Sequence, residues 1–227
     1  MTGSTPTSTR LRIDFVSDVV CPWCAIGLAS LEQALARVRG EIDADIHFQP
    51  FELNPQLGAQ GEDAVEHLQR KYGMSAAQVA ANQEAIRQRG AELGFTFDME
   101  RRRRTYNTFD AHRLLHWAGL EGQERALKHA LLRAYFTEGR DVSDHGTLVD
   151  IATSAGLPSE GARAILDSDT YAEEVRTVEQ FFQQQGIQGV PAIIIDRKHL
   201  ISGGQPHQVF EQALREISAK NKSTTAT

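Results

Sequence analysis

The sequence predicts an α/β fold opened by a strand–helix–strand unit, interrupted by a long helical insertion and completed by a second mixed segment. Three observations carry this. Apolar, strand-like residues lead into Cys21-Pro22-Trp23-Cys24, and a helical pattern followed by a second alternating run succeeds it. From about residue 58 to 168 no convincing strand is found. Beyond that come a helix, an apolar run containing a proline, a polar turn, a short apolar pair and a last amphipathic stretch.

Each element has its own reason. Leu11 to Val16 alternates apolar and polar residues and then turns apolar, as a strand entering a core does. Leu28, Leu31, Leu35 and Val38 recur at helical spacing, Pro22 suits the first turn and Gly40 the stop. Ile42, Ala44, Ile46 and Phe48 lie on one face of a second strand, and Phe51 to Pro55 leaves the sheet. Helices are expected over residues 62–72, 75–93, 107–118, 122–137, 146–155 and 159–167, punctuated by Gly119, Gly139, Gly156 and Pro158. Tyr171, Val175, Val178 and Phe182 mark a further helix ending near Gly186. Val190 to Ile195 reads as an apolar strand, Asp196 to His199 as a turn and Leu200-Ile201 as the returning strand. Phe210, Ala213, Leu214 and Ile217 place the last helix.

The expected division is an α/β body from residues 10–57 and 169–219, a helical insertion over 58–168, a disordered leader over 1–9 and a disordered tail over 220–227. The 227 residues, 41% hydrophobic and 24% charged, suffice for a core without disulfide staples. A net charge of −6 argues against a nucleic-acid partner. No apolar run approaches the roughly 18 to 20 residues of a membrane span. The polar N-terminus has no apolar h-region, so the expected location is the cytoplasm.

The only two cysteines stand three apart. A structural disulfide closing so short a loop restrains the unfolded chain little, so the pair points to chemistry. After a strand and at a helix start, Cys-x-x-Cys reads as a redox motif. The helix N-terminus favours a thiolate at Cys21, and Cys24, one turn on, is placed to resolve a mixed disulfide. Pro22 restrains the intervening backbone. Trp23 puts an apolar ring beside the sulfur where a histidine would supply a cation, which predicts a potential below that of a strong oxidant. Two alternatives need no redox chemistry. The cysteines can act as small buried hydrophobes. They can also form a zinc site with two histidines, although His112 and His116 lack the glutamate of a helical metalloprotease motif.

A second signal is Gly186-Ile-Gln-Gly-Val-Pro-Ala192. Together with Asp14 to Cys24, Phe51 to Pro55, Asn107 to Leu114 and Ser202 to Pro206, it makes the chain resemble the DsbA-like branch of the thioredoxin superfamily. Within that branch it is most similar to the FrnE-type dithiol–disulfide oxidoreductases. The resemblance spans nearly the whole chain and implies a thioredoxin fold with an inserted all-helical subdomain. It implies that Pro191 is cis and packs against Cys21, with Val190 offering backbone groups to an extended substrate. Pro22, Trp23, Val190 and Pro191 are thus the expected substrate contacts.

Three residues are expected in support. Asp14, placed below the dithiol, is a candidate proton acceptor for Cys24; the alternative is a polar residue at a strand edge. Asn107 and His112 are candidates for the cleft lining, with capping and packing as their ordinary roles. Asp18 is a candidate turn cap. The run Arg101 to Arg104 is an ordinary solvated face unless it attracts an acidic substrate. Gly203-Gly204 is a turn, too weak for a phosphate loop.

The expected activity is thiol–disulfide exchange with a protein or small-molecule substrate, without a metal or resident cofactor. Electrons are relayed by an external thiol donor such as glutathione or thioredoxin. The main rival comes from the same resemblance: kappa-class glutathione transferases and 2-hydroxychromene-2-carboxylate isomerases carry serine where this chain has Cys21, and activate glutathione. A non-catalytic peptide or small-molecule binder is the third reading.

Overall fold

The computed structural model describes residues 9–58 and 60–225. Strand β1 (Thr9–Ser17), helix α1 (Pro22–Arg37) and strand β2 (Ile42–Pro50) form the opening unit, with β1 and β2 parallel from Thr9↔Ile42 to Ser17↔Pro50. The alternation in β1 sends Leu11, Ile13 and Phe15 to one face, where they are fully buried. Leu28, Leu31 and Ala34 of α1 are buried too and share one continuous core with them.

Between β2 and the returning strands lie β3 (Glu62–Asp63), α2 (Ala64–Tyr72), α3 (Ala76–Glu92), β4 (Arg104–Thr105), α4 (Phe109–Leu120), α5 (Glu124–Phe136), α6 (His145–Ser154) and α7 (Ser159–Leu166). Helices α2 and α3 start where side chains serve their free N–H groups. Asp63 accepts from Val65 and Glu66 N–H, and Ser75 with Gln78 forms a capping box. The sequence predicts a purely helical segment here, and the structure corrects this. Glu62-Asp63 pairs antiparallel with Arg104-Thr105. A two-residue ladder has no periodicity to show in a sequence.

Helix α8 (Ala172–Gln184), strands β5 (Ala192–Ile195) and β6 (His199–Ser202) and helix α9 (His207–Thr225) complete the chain. The sheet order is β2-β1-β5-β6, with β5 antiparallel to both of its neighbours. Pro191, lacking an N–H, stays outside the ladder, and β5 begins one residue later. Buried residues of α4 and α5, Leu114, Leu131 and Tyr135 among them, belong to the same core as β1 and α1.

Both expected ends differ. Residues 1–8 of the expected leader lie outside the described residues, but Thr9 already pairs in β1. The expected tail from 220 is helical through Thr225. Asn221 Nδ2 donates to Asp196 Oδ2 at 2.7 Å, tying the last turns of α9 to the β5–β6 turn. Among the described residues no helix is long and apolar enough to cross a membrane.

Candidate active site

Cys21 is the N-cap of α1 in an extended conformation, with Pro22 at the first helical position and no acidic residue in the first turn. Its thiol donates to the Val190 carbonyl at 3.6 Å, across the cis Val190–Pro191 bond. Cys24 N–H donates to the Cys21 carbonyl at 3.0 Å, which sets the second thiol one turn behind the first. Both cysteines are free thiols. Cys21 is 4% exposed, Cys24 fully buried and Trp23 39% exposed.

The proline loop is held from behind. Gly203 N–H donates to the Pro191 carbonyl at 2.9 Å, and Ser30 Oγ donates to the Gln205 carbonyl at 2.6 Å. A Cβ on Gly27 would lie 3.1 Å from Pro191 Cγ, and one on Gly204 would lie 2.9 Å from the Trp23 carbonyl oxygen. The Gly203-Gly204 turn therefore packs against the dithiol helix, a close approach that needs residues without side chains.

Cys21 opens into a cleft of about 800 Å³ whose lining includes Trp23, Leu53, Lys71, Tyr72 and Val190. One wall comes from α2. Lys71 Nζ donates to the Leu53 carbonyl and to Asn54 Oδ1, each at 2.7 Å, and His67 Nε2 lies 3.0 Å from the same Asn54 oxygen. Glu52, in the same lining, pairs with Arg176. Burial and the nearby Glu179 carboxylate raise its carboxyl above the ordinary range.

The structure does not bring all the expected supporting residues to this cleft. Asp14 is a correction. Ile13 and Phe15 face the α1 side, so strand alternation sends Asp14 to the other face of the sheet. There it accepts from Arg12 Nη2 at 2.6 Å and Gln49 Nε2 at 2.8 Å, beside a cavity under α8. Asn107 is outside the cleft lining as well. Its Nδ2 donates to Glu52 Oε2 at 3.3 Å and to the Pro55 carbonyl at 3.2 Å, while its Oδ1 accepts from Phe109 N–H at 2.9 Å. It ties the start of α4 to the segment after β2. His112 is likewise absent from the cleft and is buried against Asp18, with Nε2 3.6 Å from Oδ1.

Asp18 does serve the turn before α1, accepting from Val20 N–H at 3.4 Å, and it also accepts from Leu53 N–H at 2.7 Å. Burial alone would raise its carboxyl, but the His112 ring and the Leu53 N–H hold it below the ordinary range. Sequence reasoning missed Lys128. This α5 side chain is 1% exposed, and Cys24, Asp18, Glu124 and Cys21 all act on its charge. Burial pushes the Cys24 thiol well above its ordinary range, and Cys21 adds to it. The available signal was a lysine within the apolar stripe of Leu131, Leu132 and Tyr135, at i+3, i+4 and i+7. No group of His, Cys, Asp and Glu among the described residues is arranged to hold a metal ion.

A mixed sheet with a Cys-x-x-Cys at a helix N-terminus, facing a cis-proline loop, defines a thioredoxin-fold dithiol protein. The chain belongs to the family of the DSBA-like thioredoxin domain, whose model matches residues 12–215. It is 38% identical to a probable DsbA oxidoreductase, SCO1869 from Streptomyces coelicolor, with a TM-score of 0.86 over 91% of this chain and 89% of that one. Two more distant structures share the fold. The cytosolic disulfide reductase DsbM from Pseudomonas aeruginosa with GSH is 16% identical, with a TM-score of 0.60 over 90% and 99% of the two chains. A 2-hydroxychromene-2-carboxylate isomerase is 15% identical, with a TM-score of 0.67 over 94% and 98%.

Proposed function

We propose that the protein is a cytoplasmic thiol–disulfide oxidoreductase, working as a reductase or isomerase, that cycles Cys21 and Cys24 between dithiol and disulfide. The observation that carries this reading is the pair's arrangement. The Cys21 thiol stands at the α1 N-terminus against the Val190 carbonyl, and Cys24 is fully buried one turn behind it. Cys21 attacks a substrate disulfide, and its sulfur forms a mixed disulfide while the first substrate thiolate leaves. Cys24 then attacks Cys21, forming the internal disulfide and releasing the second substrate thiol. Val190 and Pro191 hold the substrate backbone, and Pro22 and Trp23 contact it beside the reacting sulfur. An external thiol returns the pair to the dithiol. Keeping both cysteines favours this cycle over simple activation of glutathione.

One observation favours glutathione as a partner. Cys21 is nearly buried at a cleft of about 800 Å³ walled by α2, a space suited to a short flexible peptide. DsbM, which shares the fold, has a structure with GSH. Replacing Cys24 separates the readings, because disulfide turnover needs the second thiol and glutathione activation does not.

The test is a redox titration against glutathione with thiol trapping, read by mass. A single reversible two-electron transition is expected, with a midpoint more reducing than the roughly −120 mV of a strong oxidant. A pair that stays reduced throughout, or stops at a glutathione adduct on Cys21, overturns the proposal.

A further inference from the structure

The run Arg101 to Arg104 does not behave as one solvated face. Arg101, Arg103 and Arg104 are exposed and partnered. Arg101 Nε lies 3.2 Å from Asp98 Oδ2, Arg103 Nε donates to the Glu100 carbonyl at 3.0 Å and Arg104 Nε to the Gln60 carbonyl at 3.0 Å. Arg102 is different. It is 7% exposed and lines the cleft into which Cys21 opens.

Its backbone is fixed on both sides. Arg102 N–H donates to the Asp98 carbonyl at 3.0 Å, and Ala64 N–H donates to the Arg103 carbonyl at 2.8 Å, next to the β3–β4 ladder. The short ladder thus ties the start of α2, a wall of the cleft, to the segment that carries Arg102.

The side chain is held but not satisfied. Its guanidinium carbon lies 5.7 Å from the Tyr135 ring centre and 5.9 Å from the Phe136 ring centre. Aromatic faces attract the cation but leave its N–H groups to find acceptors elsewhere. Nη2 donates to the Met99 sulfur at 3.5 Å, a weak acceptor. The neighbouring Tyr135 hydroxyl is neutral and donates to the Arg104 carbonyl at 3.0 Å. Among the described residues, Nε is buried without a hydrogen-bond partner, and no carboxylate pairs with the guanidinium. Arg113, also buried, shows the ordinary solution: it pairs with Asp110 and donates to the carbonyls of Thr170, Ile165 and Ser168. A buried cation left without such partners is costly, and an apolar side chain of similar size would avoid the cost.

We propose that Arg102 is the inner anchor for a carboxylate of the substrate, so that the cleft selects a small peptide thiol or disulfide with a free carboxylate. This rests on the reading that substrates react at Cys21 in this cleft. Arginine suits the role because its planar fork matches the two oxygens of a carboxylate and its charge does not titrate. The other charged groups in the lining are engaged. Lys71 donates to the Leu53 carbonyl and to Asn54 Oδ1, and Glu52 pairs with Arg176. A volume of about 800 Å³ is that of a small-ligand site, and it joins the nearly buried Cys21 to the nearly buried Arg102.

The test is calorimetric binding of S-methylglutathione and of its diethyl ester to the full-length protein. The methyl cap blocks sulfur exchange, so binding is read apart from the dithiol cycle. The wild type is expected to bind the free acid roughly tenfold to a hundredfold more tightly than the ester, the range of a hydrogen bond to a charged group. Arg102→Met should bind acid and ester alike. Arg102→Lys, a point charge without the fork, should recover only part of the preference. If Arg102→Met does not fold, the ester comparison in the wild type and in Arg102→Lys still decides.

Equal binding of acid and ester by the wild type overturns the proposal, and so does the absence of binding of either. An undiminished preference for the acid in either Arg102 variant assigns the carboxylate to another group and overturns it as well. A protein that binds the acid through Arg102 but shows no two-electron transition in the glutathione titration keeps the carboxylate site and overturns the dithiol cycle instead.

Discussion

Glu124→Gln should stabilise the protein at neutral and alkaline pH and leave it unchanged in acid. Glu124 stands in the first turn of α5 beside a cavity that reaches Lys128. Burial raises its carboxyl from 4.5 to about 7, against the opposing effects of the Phe48 N–H, Lys128 and Arg12. A carboxyl raised on folding holds its proton more tightly in the folded chain. Below pH 4.5 both states are protonated and the group contributes no penalty. Between 4.5 and about 7 the unfolded chain ionises first, and stability falls as pH rises. Above 7 the loss is complete, about 3 kcal/mol at about 1.4 kcal/mol per tenfold. Glutamine removes this penalty. It also gives up a negative charge in a helix first turn, worth about 0.5 kcal/mol, so the net gain at about pH 8 is about 2 to 2.5 kcal/mol. Urea unfolding of both proteins at about pH 4 and about pH 8 measures the difference, with the midpoint shift as readout. An equal difference at the two pH values would refute the reasoning, because a packing effect does not follow a proton.

Three other outcomes follow from the geometry. Gly27→Ala places a methyl group 3.1 Å from Pro191 Cγ. It should lower kcat/KM for disulfide exchange several-fold while costing only about 1 kcal/mol of stability, and unchanged exchange kinetics would count against a positioned proline loop. Arg113 is buried and donates to the carbonyls of Thr170, Ile165 and Ser168, so Arg113→Met should destabilise by about 3 to 5 kcal/mol in chemical unfolding. Trp23→His supplies a cation beside Cys21 and should move the midpoint at least about 30 mV toward the oxidising side, a tenfold change in equilibrium, in the same glutathione titration.

What the sequence made legible is what local periodicity records. The opening strand–helix–strand unit, the dithiol at the helix start, the apolar strand beside Pro191 and the helices between them all carry patterns of 2 or 3.6 residues. The glycines behind the proline loop were readable as a turn, but not as the surface that α1 packs on. Asp14 was misplaced although its pattern was visible. Ile13 and Phe15 point toward α1, so the residue between them cannot. The short β3–β4 ladder has too few residues for a pattern, and the last turns of α9 depend on Asn221 meeting Asp196 across the fold. Lys128 was hidden for a different reason. A helical lysine is ordinarily solvated, and only its place in the stripe of Leu131, Leu132 and Tyr135 marks it as buried.

The same residues change how the insertion is understood. An appended subdomain would have its own core and touch the dithiol from one side. Here Leu114, Leu131 and Tyr135 are continuous with the core under β1. Helix α2 walls the cleft at Cys21. Helix α4 brings His112 to the buried Asp18, and α5 buries Lys128. The α/β body therefore supplies the two sulfurs, the helix N-terminus and the proline loop, while the helical segment supplies a wall of the cleft and the buried His112 and Lys128. Substitutions at the α2 wall should alter which substrates react at Cys21.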